Sequence, residues 1–167
     1  MKKLLLSAFL LIGLAVSTNA QDRKNAIGLR LGDNDGFGAE VTYQRWFSEK
    51  NRLEVDLGWR DASDYDAIKV VGLYQWIWNI EGGFNWYLGA GGGLGTWEFD
   101  NDNRPPYYDG DDDSGAFFVL AGNVGIEYNF DFPLSLSLDF RPEFYFGDDF
   151  REDDFGPDLG LSARFRF

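Results

Sequence analysis

Charged side chains recur at alternate positions in several stretches of this chain, and they are the first candidates for chemistry. In 134–146, LSLSLDFRPEFYF, Asp139, Arg141 and Glu143 follow one another two residues apart. Glu54 and Asp56 do the same upstream, and Arg30, Glu40, Arg60, Glu127, Arg164 and Arg166 hold comparable places among apolar neighbours. Carboxylates two or four residues apart in an extended chain share a face, and a carboxylate pair is the minimum for general acid–base work. The chain has no His and no Cys. That removes the commonest general base and metal ligand, and the thiol nucleophile as well. Each pair is explained more simply as a partner for a nearby Arg, and no nucleophile–base arrangement is legible. Asp109-Gly110-Asp111-Asp112-Asp113-Ser114-Gly115 offers oxygen ligands of the type calcium takes, with Asp109, Asp111 and Asp113 as weak metal candidates. Its sixth and twelfth positions are Ser114 and Leu120, where an EF-hand needs Gly and a bidentate Glu. The expectation is a solvated acidic loop, without metal or cofactor.

The element that must position Asp139, Arg141 and Glu143 is a strand. Leu134, Leu136, Leu138, Phe140, Pro142, Phe144 and Phe146 alternate with Ser135, Ser137, Asp139, Arg141, Glu143 and Tyr145, a period of two with one apolar and one polar face. An ordinary strand has ~5–6 residues, whereas one tilted across a bilayer needs ~9–11, and this stretch exceeds both. Seven further segments alternate: 25–32, 37–47, 53–60, 67–78, 84–97, 118–130 and 158–167. The fourth is the least regular. The phase that hides Lys69 and Gln75 puts Ile68, Val70, Tyr74, Trp76 and Trp78 outward and turns Val71, Leu73 and Ile77 inward. The fifth places Gly89, Gly91, Gly93 and Gly95 on one face, opposite Trp86, Leu88, Ala90 and Leu94. A row of Gly in a strand marks curvature or room for bulky neighbours.

The joints alternate in kind. Those at 48–52, 79–83 and 131–133 are short, whereas 61–66, 98–115 and 147–156 are longer and acidic, and 33–36 is short and acidic. Aromatic residues gather near strand ends, as in Trp46-Phe47, Trp76 to Trp78, Trp86-Tyr87, Trp97 to Phe99, Phe144 to Phe146 and Phe165. An even number of strands, short turns at one end, longer loops at the other and aromatic girdles are the pattern of a membrane barrel.

The N-terminus is consistent with export. Lys2 and Lys3 precede an apolar run from Leu4 to Val16, and Ser17 to Ala20 supply small residues with Thr18 and Ala20 where a signal peptidase reads. Residues 1–20 are expected to be a cleaved signal peptide, and 21–167 a single domain. No later stretch is apolar enough for a spanning helix, so a membrane location requires a closed barrel. The charge of -13 becomes -15 once Lys2 and Lys3 are lost, which argues against nucleic-acid binding. An aromatic content of 18% argues against disorder.

Alternation alone does not say which face is inside. A soluble lipocalin-like barrel binding a small apolar ligand shares the period, with its apolar residues inward. The mixed signs on the polar face, the bulk of the apolar face and the scarcity of Lys favour the polar face inward. The expected luminal charge network is Arg30, Glu40, Glu54, Asp56, Arg60, Glu127, Asp139, Arg141, Glu143, Arg164 and Arg166. In a closed barrel Pro142 has no free edge to excuse its missing N–H, so a bulge, or a strand that has already risen above the membrane, is expected there.

With the leader, eight long strands and a last strand LGLSARFRF ending on Phe167, the whole mature chain resembles the small outer-membrane barrels of the OmpA-transmembrane-domain and OmpX type from Gram-negative bacteria. The resemblance is architectural, and no motif fixes a subfamily. It implies an all-β, eight-stranded antiparallel up-and-down barrel in the cell outer membrane, surrounded by lipid and lipopolysaccharide. It also implies that Phe165 and Phe167 belong to the signal read by the barrel-assembly machinery. The function expected is structural or surface-interacting, toward a ligand the sequence does not name, and not enzymatic.

Overall fold

The computed structural model describes residues 24–32, 38–61, 65–99, 114–147 and 154–167. Eight strands occur in these segments: β1 (Asn25–Leu31), β2 (Ala39–Ser48), β3 (Asn51–Asp61), β4 (Tyr65–Glu81), β5 (Phe84–Phe99), β6 (Ser114–Asn129), β7 (Leu134–Phe146) and β8 (Phe155–Arg166). Each pairs antiparallel with the next, and β1 pairs with β8, so the sheet closes into a barrel in chain order. The closing ladder runs from Ala26 paired with Arg166 to Leu31 paired with Leu161. At the seam the start of β1 and Phe167 lie side by side: the Asn25 N–H donates to the Phe167 carbonyl at 3.0 Å and the Phe167 N–H donates to the Asn25 carbonyl at 2.8 Å.

The three short connections lie at the same end as this seam. Between β4 and β5 the chain turns at Gly82-Gly83, with Gly82 at φ 55, a left-handed conformation Gly adopts without strain. Asn79 Nδ2 clamps the turn by donating to the carbonyls of Gly82 at 3.0 Å and Phe84 at 3.1 Å. The register shifts between Asn79 and Glu81, and between Trp46 and Ser48, are irregularities beside these tight turns.

The strands extend further than composition suggests. The stretch 48–52 reads as one polar turn, yet only Glu49 and Lys50 form it, and β3 begins at Asn51. Ladder bonds likewise carry β5 to Phe99 and start β6 at Ser114, shortening the loop read as 98–115. The fourth strand takes the phase that hides Lys69 and Gln75: both are buried, together with Val71, Leu73 and Ile77, while Ile68, Val70, Tyr74, Trp76 and Trp78 are exposed. The leader, Phe37, and Asp109, Asp111 and Asp113 lie outside the described residues.

Pro142 does not introduce a bulge. Ala121 pairs Glu143 and Val124 pairs Phe140, the same register on both sides, with only the two pairs between them missing. One absent N–H removes both, because each depends on the bond that residue 142 would donate to Gly122. On its other side Pro142 faces Pro157 of β8. Two prolines opposite each other must form a pair that exchanges no hydrogen bonds, so both imide nitrogens turn away from that ladder.

Gly89, Gly91, Gly93 and Gly95 of β5 form an inward wall. The space is taken by other strands: a Cβ on Gly95 would overlap the Phe117 ring, and one on Gly91 would overlap the backbone of Gly72. Gly72 and Gly122 point outward, with nothing nearer than 3.9 Å and 3.7 Å to an added Cβ. Gly91→Ala is expected to lower folding stability by about 2 kcal/mol or more, against about 0.5 kcal/mol or less for Gly72→Ala and Gly122→Ala. Urea unfolding of the three variants in lipid vesicles checks this ordering.

Candidate functional site: the luminal charge network

The strand period sends every second residue of each strand into a lumen that eight strands make just wide enough for side chains. Charged groups arriving there from different strands must find one another or remain as costly unpaired ions. Arg141, on β7, is the centre. Its guanidinium meets four carboxylates: Glu40 at 2.6 Å, Asp56 at 2.9 Å, Glu143 at 3.0 Å and Asp158 at 3.1 Å. Arg30 on β1 shares two of them, with Asp158 at 2.5 Å and Glu40 at 3.2 Å, and adds Asp139 at 2.7 Å. Glu40 and Asp158 therefore each bridge two arginines. Lys69 on β4 joins through Glu143 at 2.6 Å, and the Tyr145 hydroxyl also bonds Glu143.

A second tier lies nearer the short turns. Arg164 reaches Glu54 at 2.9 Å and donates to Ser137 Oγ at 2.7 Å and Thr42 Oγ1 at 3.1 Å. Gln44 and Gln75 also donate to Glu54. Arg52 pairs Glu127 at 2.5 Å, and its guanidinium lies between the rings of Trp46 and Tyr87, 4.8 Å from each centroid. A cation held by two π faces is a stable closure for that end of the lumen. Toward the other end the lining turns apolar, with Val71, Leu73, Trp97, Phe117, Val119 and Tyr145 packed in one cluster.

Nine of the eleven residues expected in the network, Arg30, Glu40, Glu54, Asp56, Glu127, Asp139, Arg141, Glu143 and Arg164, are buried in the lumen. Arg60 and Arg166 are placed differently. Arg60 is half-buried near the long-connection end of β3. Arg166 is half-buried at the seam, where its guanidinium donates to the carbonyls of Phe130 and Phe132 and ties down the β6–β7 turn. Phe165 and Phe167 stand at the same end, their rings 6.4 Å apart. Three further members, Arg52, Lys69 and Asp158, were not among the eleven expected, although the reading of the fourth strand already turned Lys69 inward. Arg52 was hidden in a run of turn-like residues, although it is in phase with Glu54 and Asp56. Lys69 and Asp158 lie on polar faces the alternation identifies, but nothing in one strand shows which ions it meets from another.

The outward face is the opposite of the lumen. Leu29, Leu57, Val70, Leu88, Leu94, Phe118, Leu120, Ile126, Leu138, Phe140, Leu159 and Leu161 are all exposed. Aromatic rings mark both ends of this apolar band, with Trp78 stacked on Trp86 at 4.3 Å near the short turns and Phe144 beside Phe155 at 5.0 Å near the long connections. Among the described residues no group of three or more potential ligands could hold a metal ion.

An eight-stranded antiparallel barrel with ion pairs inside and apolar side chains outside defines the class, and the comparisons with solved structures give the same fold. The N-terminal β-barrel domain of Pseudomonas aeruginosa OprF matches with a TM-score of 0.64 at 14% identity, over 86% of this chain and 96% of that one. Neisserial surface protein A matches at 0.59 and 14% identity, over 86% and 94%. The attachment invasion locus protein Ail of Yersinia pestis matches at 0.53 and 18%, over 86% and 96%. No protein-family model and no curated protein sequence matches the chain.

Removing one buried partner strands the others, and Arg141 has the most to strand. Arg141→Ala is expected to destabilise the barrel by about 3–5 kcal/mol, whereas Asp131→Ala, at an exposed turn position, changes stability by about 0.5 kcal/mol or less. Equilibrium unfolding of both variants measures the difference, and equal losses would refute the ranking.

Proposed function

We propose that this chain is an integral outer-membrane barrel of a Gram-negative bacterium, structural or surface-interacting and without catalysis. The carrying observation is the inversion of polarity. A soluble barrel that binds an apolar ligand needs an apolar lumen and a hydrated exterior. Here five buried cations and seven buried carboxylates, Arg30, Arg52, Lys69, Arg141, Arg164, Glu40, Glu54, Asp56, Glu127, Asp139, Glu143 and Asp158, fill the interior. The exterior is a continuous apolar band, far beyond what a soluble monomer exposes, and it suits lipid. The leader at 1–20 accounts for export. Phe165 and Phe167 suit recognition by an assembly machinery, and lipid and lipopolysaccharide are the expected surroundings.

The non-catalytic reading rests on chemistry. The carboxylates that a hydrolase would need as acid and base are each within ion-pair distance of an Arg or Lys. The chain has no His or Cys, which removes the commonest base and the thiol nucleophile. The long connections are rich in Asp, so a partner for that end is cationic.

Expressed with residues 1–20, the protein is expected in the detergent-extracted membrane fraction, and its gel mobility is expected to change on heating. Recovery as a soluble periplasmic protein without detergent would overturn the reading. In planar bilayers the filled lumen is expected to give no steady conductance, and a persistent open-channel current would contradict a plugged interior.

A further inference from the structure

The tier around Arg141 is unevenly charged. Three cations, Arg30, Lys69 and Arg141, face five carboxylates, Glu40, Asp56, Asp139, Glu143 and Asp158, and all eight side chains are buried. Five against three leaves a surplus of two negative charges. The tier nearer the short turns balances, with Arg164 on Glu54 and Arg52 on Glu127. An uncompensated charge in a low-dielectric interior is costly, and such a group neutralises instead.

Four of the five carboxylates are held twice. Glu40 and Asp158 each bridge Arg30 and Arg141, and Glu143 meets Lys69 and Arg141. Asp139 takes two bonds from the Arg30 guanidinium. Asp56 is the exception. Among the described residues its ion pair is with Arg141 alone, at 2.9 Å through Oδ2, and that guanidinium is shared with three other carboxylates. The other charges that bear on it are Glu40 from β2, Glu54 on its own strand and Arg164 from β8. From β4, Val71 stands opposite it and Lys69 is bonded to Glu143. The second oxygen of Asp56, Oδ1, is buried without a hydrogen-bond partner, and so is Gln44 Oε1. The register sets Thr42 opposite Asp56 and Gln44 opposite Glu54. The two lone oxygens therefore belong to diagonal neighbours on one face, a spacing that long side chains span. Two acceptors cannot satisfy each other, and one added proton turns the pair into a donor and an acceptor.

We propose that Asp56 stores a proton: in the folded barrel at neutral pH it is a carboxylic acid that donates from Oδ1 to Gln44 Oε1, directly or through one water, while Oδ2 accepts from Arg141. Three cations then face four carboxylates, each still held twice. A metal ion in the same role would need several oxygen ligands, and among the described residues no group of three or more potential ligands is assembled. The proton enters as the barrel folds, because an Asp in an unfolded chain is ionised near neutral pH. The folded state thus binds one proton more than the unfolded state. Its stability is greatest on the acid side of this window, and the folding equilibrium constant falls about tenfold per pH unit as pH rises. The inference goes beyond residence in a membrane, since it concerns the lumen and holds whatever surrounds the barrel.

The test is the infrared spectrum of the folded, detergent-solubilised protein at neutral pH, read for the carbonyl stretch of a protonated carboxyl group. The wild-type protein is expected to show this band and to shift it when its aspartates carry a carbon-13 carboxyl. Asp56→Asn replaces the acid by a neutral group of the same shape, so it is expected to fold and to weaken the band. In urea unfolding near neutral pH, the folding equilibrium constant of the wild type is expected to fall with pH more steeply than that of Asp56→Asn, by about tenfold per pH unit. Heat-modifiable migration verifies folding. A wild-type spectrum without the band, a band that ignores the aspartate label or persists unchanged in Asp56→Asn, or equal pH dependence of the two proteins overturns the inference. Failure of Asp56→Asn to fold also overturns it, because the negative charge would then be required. Wild-type stability that follows sodium concentration instead of pH overturns it as well, since a metal ion would supply the counter-charge.

Discussion

The structure depends on one requirement: each charge that the strand period drives into the lumen must meet an opposite charge there. Arg141 shows how this is met. One guanidinium is surrounded by four carboxylates from four other positions on the wall, and two of these, Glu40 and Asp158, continue to Arg30. A buried ion pair is weak evidence for net stability, since desolvation offsets much of the attraction. It is strong evidence for specificity, because a register slip of one residue would turn these groups outward and the leucines inward. The network thus fixes the strand register as much as it stabilises the barrel.

Other features follow from filling a narrow tube with large polar side chains. The glycine wall of β5 makes room for Phe117 and its neighbours on β6 and for the strand backbones beside it. The lumen is divided lengthwise. Charge and amide groups occupy the middle and the short-turn end, where the Trp46–Arg52–Tyr87 stack closes it, and an aromatic and aliphatic cluster with Trp97 and Phe117 occupies the other end. The connections at that end carry half of the acidic residues of the chain. The two ends of the lumen therefore differ in chemistry.

Much of this was legible in the sequence because a period of two is a direct physical consequence of strand geometry. In β7 and β8 every second residue reads correctly to the last turn, and even the irregular β4 yields to the rule that Lys69 and Gln75 must not face outward. Other features were hidden for identifiable reasons. Arg52 sits in a polar run whose composition signals a turn, but ladder bonding extends the strand into it. Pro142 predicts a disrupted strand when only its own chain is considered. The strand nevertheless keeps its register with β6 on both sides of Pro142, losing only the pairs at Gly122 and Asn123, a relation between residues far apart in sequence. Arg166 continues the charged alternation, yet at the barrel's end the nearest unsatisfied groups are turn carbonyls instead of carboxylates. Partner identities across the lumen depend on shear and strand order, which no single strand encodes.

The account stands on the assignment of faces in β7, and the absence of Cys allows it to be measured cleanly. Single cysteines introduced at 135 to 140, carrying a nitroxide label in a reconstituted bilayer, report oxygen accessibility position by position. The account predicts high accessibility at 136, 138 and 140 and low accessibility at 135, 137 and 139, a period of two in that phase. The opposite phase, or equal accessibility along the strand, would contradict a lipid-facing apolar surface around a charge-filled lumen.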